Sequence, residues 1–305
     1  MLDYINNEYR GVYLVSEKIG EETGRLEIKT EDSTGEYDLN HANPGFLIEY
    51  DRYATREGQS QSNYYLEHEP TENYTYFKVN NLYRQFSVKY PDPDDLSMFG
   101  GVLDDSGFNK VVLKIKDIMN NFSAALDSGK YEELEKVVEI DSLLDVYLVH
   151  ELFKNSDVGW SSFYLYKKPN ENKLRFGPVW DFDLSAIYSR TNSIDGKHIS
   201  TKTLSGQVTN NVTSSYNDML VKATKLIDEK GNKKFADLLN ERFKTYYKNI
   251  LSVVASCVGG NDNSYVAFAQ NSVRWTKADY AKNLSSLLNW LVKRGEWMIN
   301  NNFVY

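Results

Sequence analysis

The sequence predicts an α+β protein, with a β-rich N-terminal lobe and a mostly helical C-terminal lobe that carries a β-hairpin. Three observations lead there. The first stretch of about ninety residues holds short segments rich in β-branched and aromatic side chains, separated by Gly, Asn, Asp, Ser and Thr clusters. Tyr90-Pro91-Asp92-Pro93-Asp94-Asp95 then breaks the chain, and beyond it the apolar period becomes helical. Inside the helical part, two strand-like segments flank a short turn and carry aspartates at their outer ends.

Taken in order, Leu2-Ile5 and Tyr9-Ser16 read as a hairpin across the turn chemistry of Asn6-Asn7-Glu8. Further strands are expected at Arg25-Lys29, Gly45-Tyr50, Asn63-Leu66, Tyr74-Val79 and Phe86-Lys89. After the breaker, Val112, Ile115, Ile118, Met119, Phe122 and Leu126 recur at helical spacing over 111–126. Tyr131-Val138 is a second helix. A third runs to about Phe153 from an N-cap at Asp141 or Ser142. Asn155-Trp160 is a loop, Ser162-Tyr166 a strand, Pro169-Asn172 a turn, and Leu174-Trp180 the returning strand. Residues 190–215, rich in Ser, Thr, Asn and Gly, read as a long loop. Helix resumes at about Tyr216 and runs through Leu251, and 271–300 form a last amphipathic helix around Leu284, Leu287, Leu288, Leu291 and Trp297. The lobes so drawn are 1–92 and 93–305, with the hairpin spanning 157–183.

Composition removes several classes of function. The 305 residues are 41% hydrophobic and 26% charged, which is globular. A net charge of −8 argues against general nucleic-acid binding and against docking on an anionic membrane, and suits a basic protein partner. Cys257 is the single cysteine, so neither an intrachain disulfide nor a thiolate-rich metal site can form. His41, His68, His150 and His198 lack metal-ligand spacing. No apolar stretch is long enough to span a bilayer. The 23 tyrosines and the common asparagines suit an exported bacterial surface protein. No signal peptide is visible, and Met1 leads straight into a strand, so the chain is expected to begin inside a domain, as a truncated product would, with the N-terminal lobe cut at its start.

The chemistry concentrates at the hairpin. Antiparallel pairing of its strands brings Asp157, just before one, to Asp181 and Asp183, just after the other. Carboxylates gathered in this way repel one another unless a cation or a proton joins them. Oxygen-only ligation suits Mg²⁺ or Mn²⁺, and also Ca²⁺. Asp181 would hold the metal, while Asp157 orients or deprotonates a nucleophile. The plainer reading makes Asp157 a turn residue and Asp181 an N-cap. Trp180 stacks on adenine if its ring faces the cleft, and otherwise packs in the core. Glu49 and Asp51 read as edge-strand charges, His150 as a packed or capping histidine, and Trp160 as either a wall of the site or core.

Four segments resemble the spore-coat protein CotH kinase family. They are Asn6-Asn7-Glu8-Tyr9-Arg10-Gly11-Val12-Tyr13-Leu14-Val15-Ser16-Glu17; the strands Gly24-Ile28 and Gly45-Asp51; Asp141-Ser142 through Glu151-Leu152-Phe153-Lys154-Asn155-Ser156-Asp157; and Gly177-Pro178-Val179-Trp180-Asp181-Phe182-Asp183. A weaker likeness lies at Val273-Arg274-Trp275 and the final helix, so the resemblance runs in order through nearly the whole chain. It implies an atypical protein-kinase-like fold that transfers phosphate from ATP to serines of coat or surface proteins, with Asp157 as the catalytic-loop aspartate and Asp181 and Asp183 at the metal. It also implies a phosphate-binding lysine, for which Lys18, Lys29, Lys78 and Lys89 are the candidates, and a glutamate paired with it, for which Glu17 is one. A solvated strand charge is the other reading of Glu17. The chain departs from ordinary kinases in lacking a G-x-G-x-x-G loop and a V-A-I-K strand, and in having Ser162 where they carry a metal-binding Asn. Two other functions are expected alternatives: a non-catalytic scaffold of a spore coat or cell surface, and a calcium-stabilised, carbohydrate-associated surface module.

Overall fold

The computed structural model describes residues 2–5, 8–12, 18–35, 37–51, 76–91, 107–188, 193–199, 216–258 and 280–301. The opening hairpin forms as its turn chemistry requires: β1 (Leu2–Ile5) pairs antiparallel with β2 (Glu8–Val12), Leu2 opposite Val12. Residues 13–17, with Glu17, and the expected strand Asn63-Leu66 lie outside the described residues.

The central element is β3 (Phe46–Tyr50), all five of whose residues are buried. It lies in the middle of a five-stranded antiparallel sheet made with β4 (Tyr76–Phe77), β5 (Phe86–Tyr90), β6 (Phe163–Lys167) and β7 (Arg175–Val179), in the order β4-β5-β3-β6-β7. The hairpin β6-β7 therefore continues the N-terminal sheet, with Glu49 of β3 opposite Ser87 on one side and Tyr164 on the other. One face of the sheet is apolar, with Phe46, Ile48, Tyr50, Phe86, Val88, Phe163, Leu165 and Phe176 in the core. Alternation along β6 turns Tyr164 and Tyr166 to the opposite face.

Among the described residues, six α-helices complete the α+β architecture. The helical period of Val112, Ile115, Met119 and Phe122 buries one stripe of α1 (Gly107–Asp127), and Phe122 meets Phe176 of the sheet edge to face. Next come α2 (Tyr131–Val137) and α3 (Ile140–Phe153). The N-cap of α3 is Glu139, whose carboxylate accepts from Ser142 N, rather than Asp141 or Ser142. Both expected caps are engaged elsewhere. Ser142 Oγ donates to the Glu139 carbonyl and accepts from Phe176 N, and Asp141 binds Arg242. The remaining helices are α4 (Asp218–Ala223), α5 (Lys234–Val258) and α6 (Tyr280–Asn300).

Three other expectations are corrected. Arg25-Lys29 is a turn followed by irregular chain, because Gly24 and Glu27 take positive φ and Arg25, Leu26, Glu27 and Ile28 donate back to carbonyls of Gly20, Glu21 and Glu22. Ile28 is buried, and this lone apolar anchor imitated a strand pattern. Of Tyr74-Val79, residues 74 and 75 lie outside the described residues, and of 76–79 only Tyr76–Phe77 pairs as a strand. The helix expected over 216–251 is two, parted where Asp228 Oδ1 accepts from both Lys230 N and Asn232 N. Among the described residues, no helix is long and apolar enough to cross a membrane.

Candidate active site

The site is built on the end of α3. Leu143, Leu144, Val146, Tyr147, Leu148 and Leu152 bury this helix on most of its circumference, so its C-terminus points into the protein. Lys154 closes it in the left-handed region (φ 48°), its N–H donating to the carbonyls of His150 and Glu151. That reversal sends Asn155-Ser156-Asp157 beneath the open end of the hairpin. The Asp157 carbonyl accepts from Trp160 N at 2.7 Å and Ser161 N at 3.1 Å, so Asp157 does head a turn, as its plainer reading has it.

Where the chain leaves β7, at the same open end of the hairpin, Asp181 also adopts a left-handed backbone (φ 58°). Aspartate and asparagine are the non-glycine residues that enter this region most readily, and two contacts accompany it here. Asn155 Nδ2 donates to the Asp181 carbonyl at 3.1 Å, and Ser162 Oγ to Asp181 Oδ2 at 3.3 Å. The twist sends Phe182 inward, stacked on His150 at 5.0 Å and edge-on to Phe153. Asp181 and Asp183 on either side face outward. They meet Asp157, and one carboxylate oxygen from each of the three lies within 4.8 Å of the others.

Like charges at that separation raise the energy of the fully ionised state. Partial burial first, then the Asp183 charge, push the Asp181 carboxyl above its usual value. Two oxygens on opposite sides of one Mg²⁺ or Ca²⁺ lie roughly 4–5 Å apart, and both ions take oxygen ligands. The donor set and its spacing thus fit one hard divalent cation.

The family model of the CotH kinase protein matches residues 3–298. The chain belongs to the CotH kinase family. No curated protein and no solved structure matches it. The family's name is that of a kinase-type enzyme.

Trp180 is 40% exposed, so core packing does not describe it. His150 is packed: wholly buried between Phe163 and Phe182, its pKa driven down to about 3 by burial and then by His198. Trp160 is half-buried and stacks on Arg84, whose Nε donates to the Gly159 carbonyl. Glu49 is not an edge charge. It sits on the central strand only 7% exposed, and Asp51 just beyond it is buried as well. Glu49 Oε1 accepts from Ser162 N at 2.6 Å, while its second oxygen pairs with Lys89 at 3.3 Å. The signal for Glu49 in the sequence was its place in Phe46-Leu47-Ile48-Glu49-Tyr50, where a charge interrupts an otherwise apolar or aromatic run. Among the described residues, His41, His150 and His198 do not join the acidic group.

Proposed function

We propose that this chain is an ATP- and divalent-metal-dependent protein kinase of the CotH type, phosphorylating serines of spore-coat or bacterial cell-surface proteins. The observation that carries this reading is the convergence of Asp157, Asp181 and Asp183 from the two ends of one hairpin. Phosphoryl transfer asks for charge neutralisation and positioning more than for a covalent protein intermediate. A bound Mg²⁺ or Mn²⁺ supplies that neutralisation at the phosphates. Asp181 and Asp183 would hold the metal.

Asp157 accepts the proton of the seryl hydroxyl. The seryl Oγ–phosphorus bond forms as the bond from phosphorus to the β,γ-bridging oxygen breaks, and ADP leaves. Lys89 is the phosphate-binding lysine: its partner Glu49 also reaches the hairpin through Ser162 N, whereas Lys29 is paired with Glu31. On this reading Glu49 fills the glutamate role considered for Glu17. Trp180, exposed beside Asp181, offers its ring to adenine. On this reading the lobes 1–92 and 93–305 share one sheet, β6 of the second pairing with β3 of the first. An acidic chain suits basic, Ser-rich substrates.

The test is transfer of labelled γ-phosphate from ATP to a Ser-rich basic protein with Mg²⁺ or Mn²⁺, read as phosphoserine by mass spectrometry and lost in Asp181→Ala. ATP binding without transfer under any metal would overturn the kinase reading in favour of a nucleotide-holding scaffold.

A further inference from the structure

The side chain that joins the two halves of the acidic site is itself uncharged. Asn155 is fully buried, and both ends of its carboxamide are used. Oδ1 accepts from Asp157 N at 3.0 Å, and Nδ2 donates to the Asp181 carbonyl at 3.1 Å. The two aspartates flank the two strands at the hairpin's open end, so one planar group fixes the separation of the backbones that carry them. An aspartate in its place would lack the donor, and an aliphatic residue both groups. A backbone bond from Ser156 N to the Leu184 carbonyl runs alongside at 3.1 Å.

Asn155 is anchored in its turn. Its N–H donates to the His150 carbonyl at 3.2 Å, and its carbonyl lies 2.6 Å from His198 Nε2. A carbonyl only accepts, so His198 carries a proton on Nε2. His198 N and Ile199 N donate to the two carboxylate oxygens of Glu151 at 2.8 and 3.0 Å. Arg294 on α6 completes the support, donating to Glu151 Oε1 at 2.6 Å and to the carbonyls of Ile194 and Gly196 at 2.8 Å each. Asn155, His198, Glu151 and Arg294 are all buried.

We infer that Asn155 is the positioning residue of the acidic site: its carboxamide sets the spacing of Asp157 and Asp181 that lets them share one cation, and His198, held by Glu151 and Arg294, sets where that carboxamide lies. The inference rests on the kinase reading for its purpose, but the spacing is a matter of cation binding alone.

The test titrates Mn²⁺ into the full chain and its Asn155→Ala, His198→Leu and His198→Gln forms. Free Mn²⁺ is followed by electron paramagnetic resonance, and folding by melting in metal-free buffer. Removing a group that orients a metal ligand weakens binding about 10–100-fold. Asn155→Ala is expected to raise the Mn²⁺ Kd by about tenfold or more. His198→Leu raises it several-fold, and His198→Gln, which keeps an N–H for the Asn155 carbonyl, brings it back toward wild type. A purely structural role would lower the melting temperature without that pattern.

Unchanged affinity in a folded Asn155→Ala chain overturns the inference. If that variant does not fold, the His198 pair decides, and His198→Leu binding Mn²⁺ as wild type does overturns it. A wild-type chain that binds no Mn²⁺ overturns it too. A chain that shows the expected Mn²⁺ pattern yet transfers no phosphate supports the inference and overturns the kinase reading instead.

Discussion

Glu151 and Asp181 are both carboxylates bound up with the Asn155 segment, and their surroundings are opposite. Glu151 is fully buried, with Arg294 and two backbone N–H groups satisfying its oxygens. Asp181 is exposed, and the neighbouring charge of Asp183 has the same sign. The chain supplies every partner of the first carboxylate. For the second it supplies a hydroxyl and two further carboxylates within reach. The floor of the site is thus neutralised from within, while its rim gathers three carboxylates within 4.8 Å of one another.

The contrast breaks most severely at Arg294. Arg294→Met leaves the Glu151 charge buried without its counter-ion, and is expected to cost about 3–5 kcal/mol of folding stability, measured by urea denaturation. A loss below about 1 kcal/mol would mean that the floor does not depend on this pair.

The next effect is one of pH. The buried neutral His150 has a folded pKa of about 3, against an unfolded value near 6.5. Between those values the unfolded chain binds the extra proton, so the contribution is fully present above about pH 6.5 and is lost as the pH falls. At pH 5 the loss is about 2 kcal/mol. His198, also lowered by burial, acts in the same direction. His150→Phe is expected to flatten the dependence of the urea midpoint on pH between 7 and 5.

At the rim, Trp180→Ala is expected to raise the KM for ATP several-fold, corresponding to about 1 kcal/mol of stacking, with little change in melting temperature because the ring is exposed. The smallest effect sharpens the comparison by its sign. Asp181 is held above its usual pKa, so its ionisation opposes folding. That cost is absent at low pH and sets in as the pH rises through the folded pKa. Asp181→Asn should therefore raise the melting temperature of metal-free protein at pH 7, on the order of 1 °C, and abolish further stabilisation by Mn²⁺. A lower melting temperature in metal-free buffer would mean that Asp181 already has a favourable partner in the chain.

Periodicity exposed the parts that depend on local pattern. The stripe of Val112, Ile115, Met119 and Phe122 marked α1, and the turn between two aromatic strands marked β6 and β7 with aspartates at their ends. What stayed hidden depends on contacts between distant segments. Glu49 looks like an edge charge until β3 is known to be central, because nothing local says that β6 will pair along its free side. The support beneath Asn155 joins α3, α6 and a stretch of 190–215 that has no hydrophobic period at all. His198 and Ile199 are buried there as single anchors, and single residues make no pattern. Glu139 was missed as a cap because Asp141 and Ser142 are the commoner capping types, and their engagement with Arg242, the Glu139 carbonyl and Phe176 is tertiary.

The place of β3 also bears on how the chain can be divided. Its two neighbours, β5 and β6, are separated in sequence by three helices, so the ladder closes only after more than half the chain has been made. Cutting after residue 92 would leave one fragment with the apolar strand β3 unpaired along an edge and the other with β6 in the same condition. Bare strand edges of this kind invite pairing with other chains. The two fragments are therefore expected to be far more prone to aggregation apart than together, and to recover solubility when mixed.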